Sequence, residues 1–173
     1  MRRVLSALSG LLRPARAGRT APPRPARTAP PPTEPGRSGR AATVPVDPRS
    51  LGRIRTAYNP SLDGDADPGE IVWTWVPYEE ADGRGKDRPV LVVAAEPHGS
   101  VLAVPLTSQE HPGRPEYLPI GAGDWDGRRR PSFVRLDRVY RVQQAGMRRE
   151  AAALDARRFA LVREALAGRY GWR

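Results

Sequence analysis

Five polar residues lie at the ends of apolar segments or alternate within one, and together they could carry chemistry. Arg88 opens the apolar run RPVLVVAA, and Thr107 and Ser108 close the run SVLAVPLTS. Arg135 and Asp137 are two positions apart in SFVRLDRVYRV. Residues i and i+2 of a strand point the same way, about 6.5–7 Å apart. Arg135 and Asp137 can therefore contact one ligand or each other.

Two arginines and two hydroxyls around one carboxylate suit phosphodiester chemistry, because guanidinium and hydroxyl groups bind phosphate oxygens. RNA supplies its own nucleophile, the 2′-hydroxyl. The protein then needs only a base, a cation near the phosphorane and a proton for the leaving 5′-oxygen. The same residues also have an ordinary structural interpretation. An exposed Arg–Asp pair is usually a surface salt bridge worth about 0–1 kcal/mol, and Thr-Ser at a strand end is common in turns.

Composition narrows the classes of site. The chain has no cysteine, so we expect no disulfide and no thiolate metal site. It has two histidines, His98 and His111, which are too few for a His-based metal cluster. We predict no metal and no cofactor. No run of about 18 apolar residues is present to span a membrane, and we expect a cytoplasmic protein.

Five strands followed by one helix are predicted between residues 68 and 173. The strands are assigned by alternation, β-branched content and turn residues to 70–76, 88–95, 100–108, 116–121 and 132–142. The second is expected to be buried on both faces, and Pro105 predicts a bulge or edge in the third. Asp155 is expected to cap a helix that ends near Gly168. Short strands with Gly-bearing turns favour a small barrel with a terminal helix.

Alternation through 132–142 assigns the side chains of the fifth strand to two faces. Arg135, Asp137 and Val139 fall on one face. Val134 and Arg138 fall on the other, which is predicted to face the core, so Arg138 is expected to point away from the other polar residues.

Residues 1–60 are predicted to be a disordered Arg/Pro/Ala-rich extension. They contain twelve arginines against two acidic residues, whereas residues 61–173 contain seventeen basic and seventeen acidic residues, so all of the formal charge of +10 lies in the first third. The start MRRVLSALSGLL imitates a targeting segment, with a disordered extension or a misassigned start as the alternative. A chain beginning near Arg55 is expected to melt like the full chain.

The order of these motifs resembles the PemK/MazF family of toxins from bacterial toxin–antitoxin pairs. The resemblance runs through PGEIVW, RPVLVV, VPLTSQ and FVRLD to the terminal helix. It covers about residues 68–167, and we assign the toxin-like domain to 68–173. The resemblance implies a mainly β fold, an SH3-like small β-barrel with a C-terminal helix. It also implies a homodimer that acts as a metal-independent, sequence-selective endoribonuclease on single-stranded RNA and leaves a 2′,3′-cyclic phosphate. A cognate antitoxin is expected to block this activity.

By position, the resemblance assigns catalytic roles to Arg88, Arg135 and Asp137 and phosphate binding to Thr107 and Ser108. Asp137 would be the general base and Arg135 the general acid or charge stabiliser. The family often has Gln where this chain has Arg138, and the acids of the loop YEEADGRGKD are unusual beside RNA. A catalytically silent nucleic-acid-binding barrel and a protein-interaction module therefore remain as alternatives.

Pro89 follows Arg88 at the start of the second predicted strand. Proline cannot donate a hydrogen bond to a sheet ladder, so Pro89 is expected to mark where the loop stops and the buried strand starts. Its fixed φ would also restrict the backbone that carries Arg88.

Overall fold

The computed structural model describes residues 34–61, 64–80 and 82–173. Within these residues, eight strands and one α-helix follow each other. The strands are β1 (Val44–Val46), β2 (Glu70–Pro77), β3 (Gly85–Ala95), β4 (Ser100–Thr107), β5 (Tyr117–Gly121), β6 (Ser132–Arg135), β7 (Val139–Gln143) and β8 (Arg148–Ala153), and the helix is α1 (Ala156–Tyr170). Within the described residues, no helix is long and apolar enough to cross a membrane.

All strand pairs are antiparallel, and the sheet order is β1-β7-β4-β3-β2-β8. β4 changes partner along its length, because Ser100–Ala103 pair with β7 whereas Leu106 and Thr107 pair with β6. β6 in turn pairs with β5. The prediction of a mainly β fold with a C-terminal helix is confirmed, and β1 and β8 were not predicted.

β3 is buried on both faces, as its continuous apolar run predicts. Leu91 and Val93 belong to the core that includes Phe159, whereas Val90 and Val92 belong to a second core on the other face of the sheet. β3 begins at Gly85 rather than at Arg88, so Pro89 lies inside the strand, opposite Trp73 of β2. The expectation that Pro89 marks where the loop stops is wrong, but the buried part of the strand does begin next to it, at Val90.

α1 packs one face onto the first core through Phe159, Val162 and Leu166, at the predicted helical spacing. Asp155 caps the helix by accepting a hydrogen bond from the Arg158 N–H at 3.0 Å. The helix runs past Gly168 and ends at Tyr170, and it is followed by Gly171, whose positive φ of 71° suits a C-cap glycine.

The predicted strand over 132–142 is two strands separated by a turn at Leu136–Asp137. The turn breaks the alternation, and Leu136 and Val139 are both buried. The prediction that Val139 shares an outward face with Arg135 and Asp137 is therefore wrong.

Residues 34–61 pack on the sheet, contrary to the predicted disorder through residue 60. β1 pairs with β7. The hydroxyls of Thr43 and Thr74 are hydrogen-bonded at 2.6 Å in a buried position, and the Arg173 N–H donates to the Ile54 carbonyl at 2.9 Å. The domain thus begins well before residue 68, and a chain starting at Arg55 would lose β1. Residues 1–33, including the targeting-like start, lie outside the described residues.

Candidate functional site

Four of the five sequence-predicted site residues line one cleft with a volume of about 400 Å³. Arg88 comes from β3, Thr107 ends β4, Ser108 follows it, and Arg135 ends β6. β4 lies between β3 and β6 in the sheet, which explains why three segments distant in sequence meet here. Asp137, the fifth predicted residue, does not line the cleft.

Two prolines lie in the wall of the cleft where β3 and β4 meet. Pro89 follows Arg88 directly, and Pro105 is paired with Val90 across the two strands. Because proline has no backbone N–H, neither residue can donate a hydrogen bond to the strand ladders beside the cleft. The bulge that Pro105 predicted is not at that position: Pro105 pairs in register with Val90, and this ladder shifts register between Val92 and Ala94 of β3.

Arg88 is the partly buried cation of the cleft that no carboxylate compensates, whereas Lys86, which also lines the cleft, is exposed and likewise has no ion pair with a described residue. Arg88 forms no ion pair with any residue that the structure describes, and its Nε is buried without a hydrogen-bond partner. It lines both the cleft and a second, adjoining pocket of about 350 Å³. A half-buried guanidinium without a carboxylate partner is available for an anionic ligand.

Thr107 and Ser108 present their hydroxyls at the open end of β4. The Thr107 hydroxyl oxygen accepts a hydrogen bond from the Gln109 N–H at 3.1 Å. This bond uses the oxygen as an acceptor and leaves the hydroxyl proton available as a donor. Ser108 is exposed beside it.

Arg135 is held by two carboxylates and one ring. Its Nε and Nη2 donate to the two carboxylate oxygens of Asp137 at 2.9 and 3.2 Å, and Nη2 lies 2.7 Å from Glu79 Oε1. Its guanidinium carbon is 5.7 Å from the centre of the Tyr117 ring. Burial alone lowers the pKa of Arg135, but the hydrogen bonds and charges of Asp137 and Glu79 outweigh it and raise the pKa above its ordinary value. Arg135 is therefore suited to stabilising charge and unsuited to releasing a proton.

Asp137 lies in the turn between β6 and β7, where both of its carboxylate oxygens accept hydrogen bonds from Arg135. Arg138 was expected on the opposite face, out of reach of the site. Instead, its Nη2 pairs with Glu79, which also contacts Arg135. The turn is the reason, because it ends the strand alternation from which the face of Arg138 was predicted.

Aromatic residues form much of the remaining wall, and sequence reasoning missed them. The rings of His111 and Tyr117 are stacked with their centres 3.8 Å apart. The Trp125 indole N–H donates to the Ser132 hydroxyl at 3.1 Å, which fixes the loop between β5 and β6, and Trp73 lines the cleft from β2. Aromatic residues interleaved with arginines are typical of single-stranded nucleic-acid sites, and this signal was present in the sequence.

The described part of the chain contains no group of three or more His, Asp or Glu side chains that could hold a metal ion. Its acidic residues near the cleft are paired with arginines instead. Asp126 binds Arg130 at 2.7 Å, and Asp87 binds Arg148 at 2.8 Å.

Comparison with known proteins gives one family match. Residues 67–168 match the family described as PemK-like, MazF-like toxin of type II toxin–antitoxin system. Comparison with curated protein sequences gave no match.

Solved structures with a similar arrangement include MazF from Deinococcus radiodurans, at 23% identity and a TM-score of 0.49, with 66% of this chain and 99% of that chain covered. The MazE–MazF complex from the same organism has 23% identity and a TM-score of 0.46, with 62% and 97% covered. The Mycobacterium tuberculosis toxin MazF-mt6 has 20% identity and a TM-score of 0.42, with 59% and 98% covered.

Proposed function

Because the chain belongs to the PemK-like, MazF-like toxins of type II toxin–antitoxin systems, we propose that it is an endoribonuclease that cleaves single-stranded RNA without a metal ion. The observation that carries the proposal is the shared cleft of Arg88, Thr107, Ser108 and Arg135. These residues supply two cations and two hydroxyl donors around one space of nucleotide size, next to aromatic rings on which bases can stack.

In the proposed reaction, the RNA 2′-oxygen attacks the adjacent phosphorus and passes its proton to a base, either Asp137 or water, and the bond to the 5′-oxygen breaks as that oxygen takes a proton from water. The products are a 2′,3′-cyclic phosphate and a 5′-hydroxyl. Arg88 and Arg135 stabilise the negative charge that grows on the phosphorane, and the hydroxyls of Thr107 and Ser108 donate to its oxygens.

The role of Asp137 has two versions. As the general base, it would need to turn one carboxylate oxygen away from Arg135 and towards the 2′-hydroxyl. As a positioning residue, it would keep both oxygens on Arg135 and aim the guanidinium at the phosphate. The bidentate pair supports the positioning role, and the general-base role stays a prediction.

The experiment is cleavage of a pool of fluorogenic RNA oligonucleotides by the purified full-length protein in excess EDTA, with mass spectrometry of the products. We expect cleavage with cyclic-phosphate ends. Arg88→Ala is expected to lower kcat/KM by about 10²–10³-fold, as for loss of one preorganised charge-stabilising group, with little change in melting temperature. Absence of cleavage of every oligonucleotide, or activity that EDTA removes, would contradict the proposal.

One observation favours a second candidate, a barrel that binds RNA without cutting it. Arg135 already has Glu79 and Asp137 as partners, which leaves Arg88 as the uncompensated cation of the pair. Binding of the oligonucleotide pool without cleavage would establish this candidate in place of the nuclease.

Family membership also supports two partners. We propose that a cognate antitoxin binds the chain and covers the cleft, and that the chain works as a homodimer. Sedimentation at micromolar concentration tests the dimer, and a monomer under those conditions would count against it. Co-expression with the product of an adjacent reading frame tests the antitoxin, which is expected to relieve growth inhibition.

A further inference from the structure

The carboxylate of Glu79 bridges two arginines at the edge of the cleft. Its Oε1 lies 2.7 Å from Arg135 Nη2, and its Oε2 contacts Arg138 Nη2. Glu79 belongs to the loop between β2 and β3, and half of its side chain is exposed, whereas Arg135 and Arg138 are 27% and 36% exposed. The acid therefore lies on the solvent side of two partly buried cations.

An anion held by two guanidinium groups through two separate oxygens has the geometry of a bound phosphodiester. Guanidinium groups bind carboxylate and phosphate oxygens in equivalent ways. The site also extends the cation pair of the cleft, because Arg88, Arg135 and Arg138 line the adjoining pocket together. A phosphate in the position of the Glu79 carboxylate would thus be next to the proposed scissile phosphate.

We propose that Arg135 and Arg138 form a phosphate-binding site for RNA that Glu79 occupies in the free protein. RNA then binds by replacing the Glu79 carboxylate, and Arg138 is a phosphate-binding residue. The inference rests on the proposed function in taking RNA as the ligand, and it requires no cleavage.

Arg138 has unused capacity for such a ligand. Its Nε is buried and donates no hydrogen bond, and its distance to Asp137 Oδ2 is 3.9 Å, too long for one. Its main described partner is therefore the displaceable Glu79. A solvent-exposed ion pair contributes about 0.2–1 kcal/mol, so an incoming phosphodiester can compete with the carboxylate.

The test compares Glu79→Gln with Glu80→Gln. Both changes remove one negative charge from the same loop without changing side-chain length, but Glu80 is exposed and makes no ion pair with a described residue. The probe is a fluorescent 2′-O-methyl oligonucleotide, which has phosphates but no free 2′-hydroxyl and cannot be cleaved by attack of that group. Binding is measured by anisotropy from 50 to 300 mM salt.

Glu79→Gln is expected to tighten binding about three- to tenfold, from the loss of two competing ion pairs, and Glu80→Gln less than twofold. Arg138→Gln is expected to weaken binding and to reduce the slope of log K against log salt by about 0.7, the value for one lost phosphate contact on a single strand. In the double variant that carries both changes, Arg138→Gln should remove most of the increase in binding affinity that Glu79→Gln produces.

Equal effects of the two Gln variants, weaker binding by Glu79→Gln, or no effect of Arg138→Gln would overturn the inference. Absence of binding by every variant would overturn it as well. These outcomes can be distinguished from failure of the proposed function. If the chain binds the probe in the expected pattern but never cleaves RNA, the phosphate-binding site is supported and the nuclease proposal is contradicted.

Discussion

Replacing Asp137 with Asn separates the two possible roles of this residue. The change keeps the size of the side chain but removes its charge and one of the two oxygens that accept from Arg135. A hydrogen bond to a charged partner contributes about 1.5–3 kcal/mol, and 1.4 kcal/mol corresponds to a factor of ten. A positioning role therefore predicts that kcat/KM falls about 10- to 100-fold.

A general-base role predicts a different pattern. Loss of a positioned base typically costs about 10²–10⁴-fold, which is more than the loss expected from positioning alone. The assay is kcat/KM on one fluorogenic RNA near neutral pH.

The matched control for Asp137→Asn is Asp126→Asn, which removes a carboxylate from an equivalent pair with Arg130 on another wall of the cleft. We expect Asp126→Asn to change kcat/KM less than fivefold, because Asp126 pairs with Arg130 and with none of the residues proposed to bind the phosphate. A loss above 10³-fold for Asp137→Asn would refute the positioning role.

Three further predictions concern packing, pH and metal. Gly36→Ala should destabilise the fold by about 2–4 kcal/mol, because Gly36 has φ of 81° and an added Cβ would contact Thr74 Oγ1 and lie 2.6 Å from the Gly146 carbonyl oxygen. Urea denaturation measures the free energy of unfolding. A variant as stable as the wild type would show that the segment around Gly36 does not pack there. Glu96→Gln should cost about 1 kcal/mol at pH 7. The hydrogen bond from Arg141 lowers the pKa of Glu96 below 4.5, so the cost should shrink as the pH falls through that lowered value, and a pH-independent cost in thermal melts would contradict the assignment. Cleavage after dialysis against EDTA should match that of the untreated protein, and restoration of lost activity by added Mg²⁺ would indicate a metal site.

The parts of the fold that sequence reasoning predicted are those fixed by local patterns. The double-sided burial of β3 follows from its uninterrupted apolar run, and α1 follows from its cap at Asp155 and the spacing of Phe159, Val162 and Leu166. Both signals depend on neighbours within one element, which a sequence displays directly.

The structural predictions were wrong where a segment is held in place by contacts with residues distant in sequence. Residues 34–61 have the composition of a disordered segment, yet they are held by backbone hydrogen bonds and the Thr43–Thr74 hydroxyl pair. Composition does not register such contacts, because any residue type can supply a backbone donor or acceptor. Similarly, alternation continues through SFVRLDRVYRV, although a turn at Leu136–Asp137 divides it into two strands.

Four of the five predicted site residues meet in one cleft, but the pairing of its charged groups was not predicted. Residues 61–173 have equal numbers of basic and acidic residues, and most arginines near the cleft are paired with acids: Arg130 with Asp126, and Arg135 with Asp137 and Glu79. Net charge thus says little about where an anion binds on this domain. Affinity for phosphate depends on which guanidinium group lacks a carboxylate partner, and Arg88 is one such group. It also depends on which carboxylate can be displaced from its arginines, and we propose that Glu79 is displaced. Those properties are set by pairings across strands and loops that only the folded chain displays.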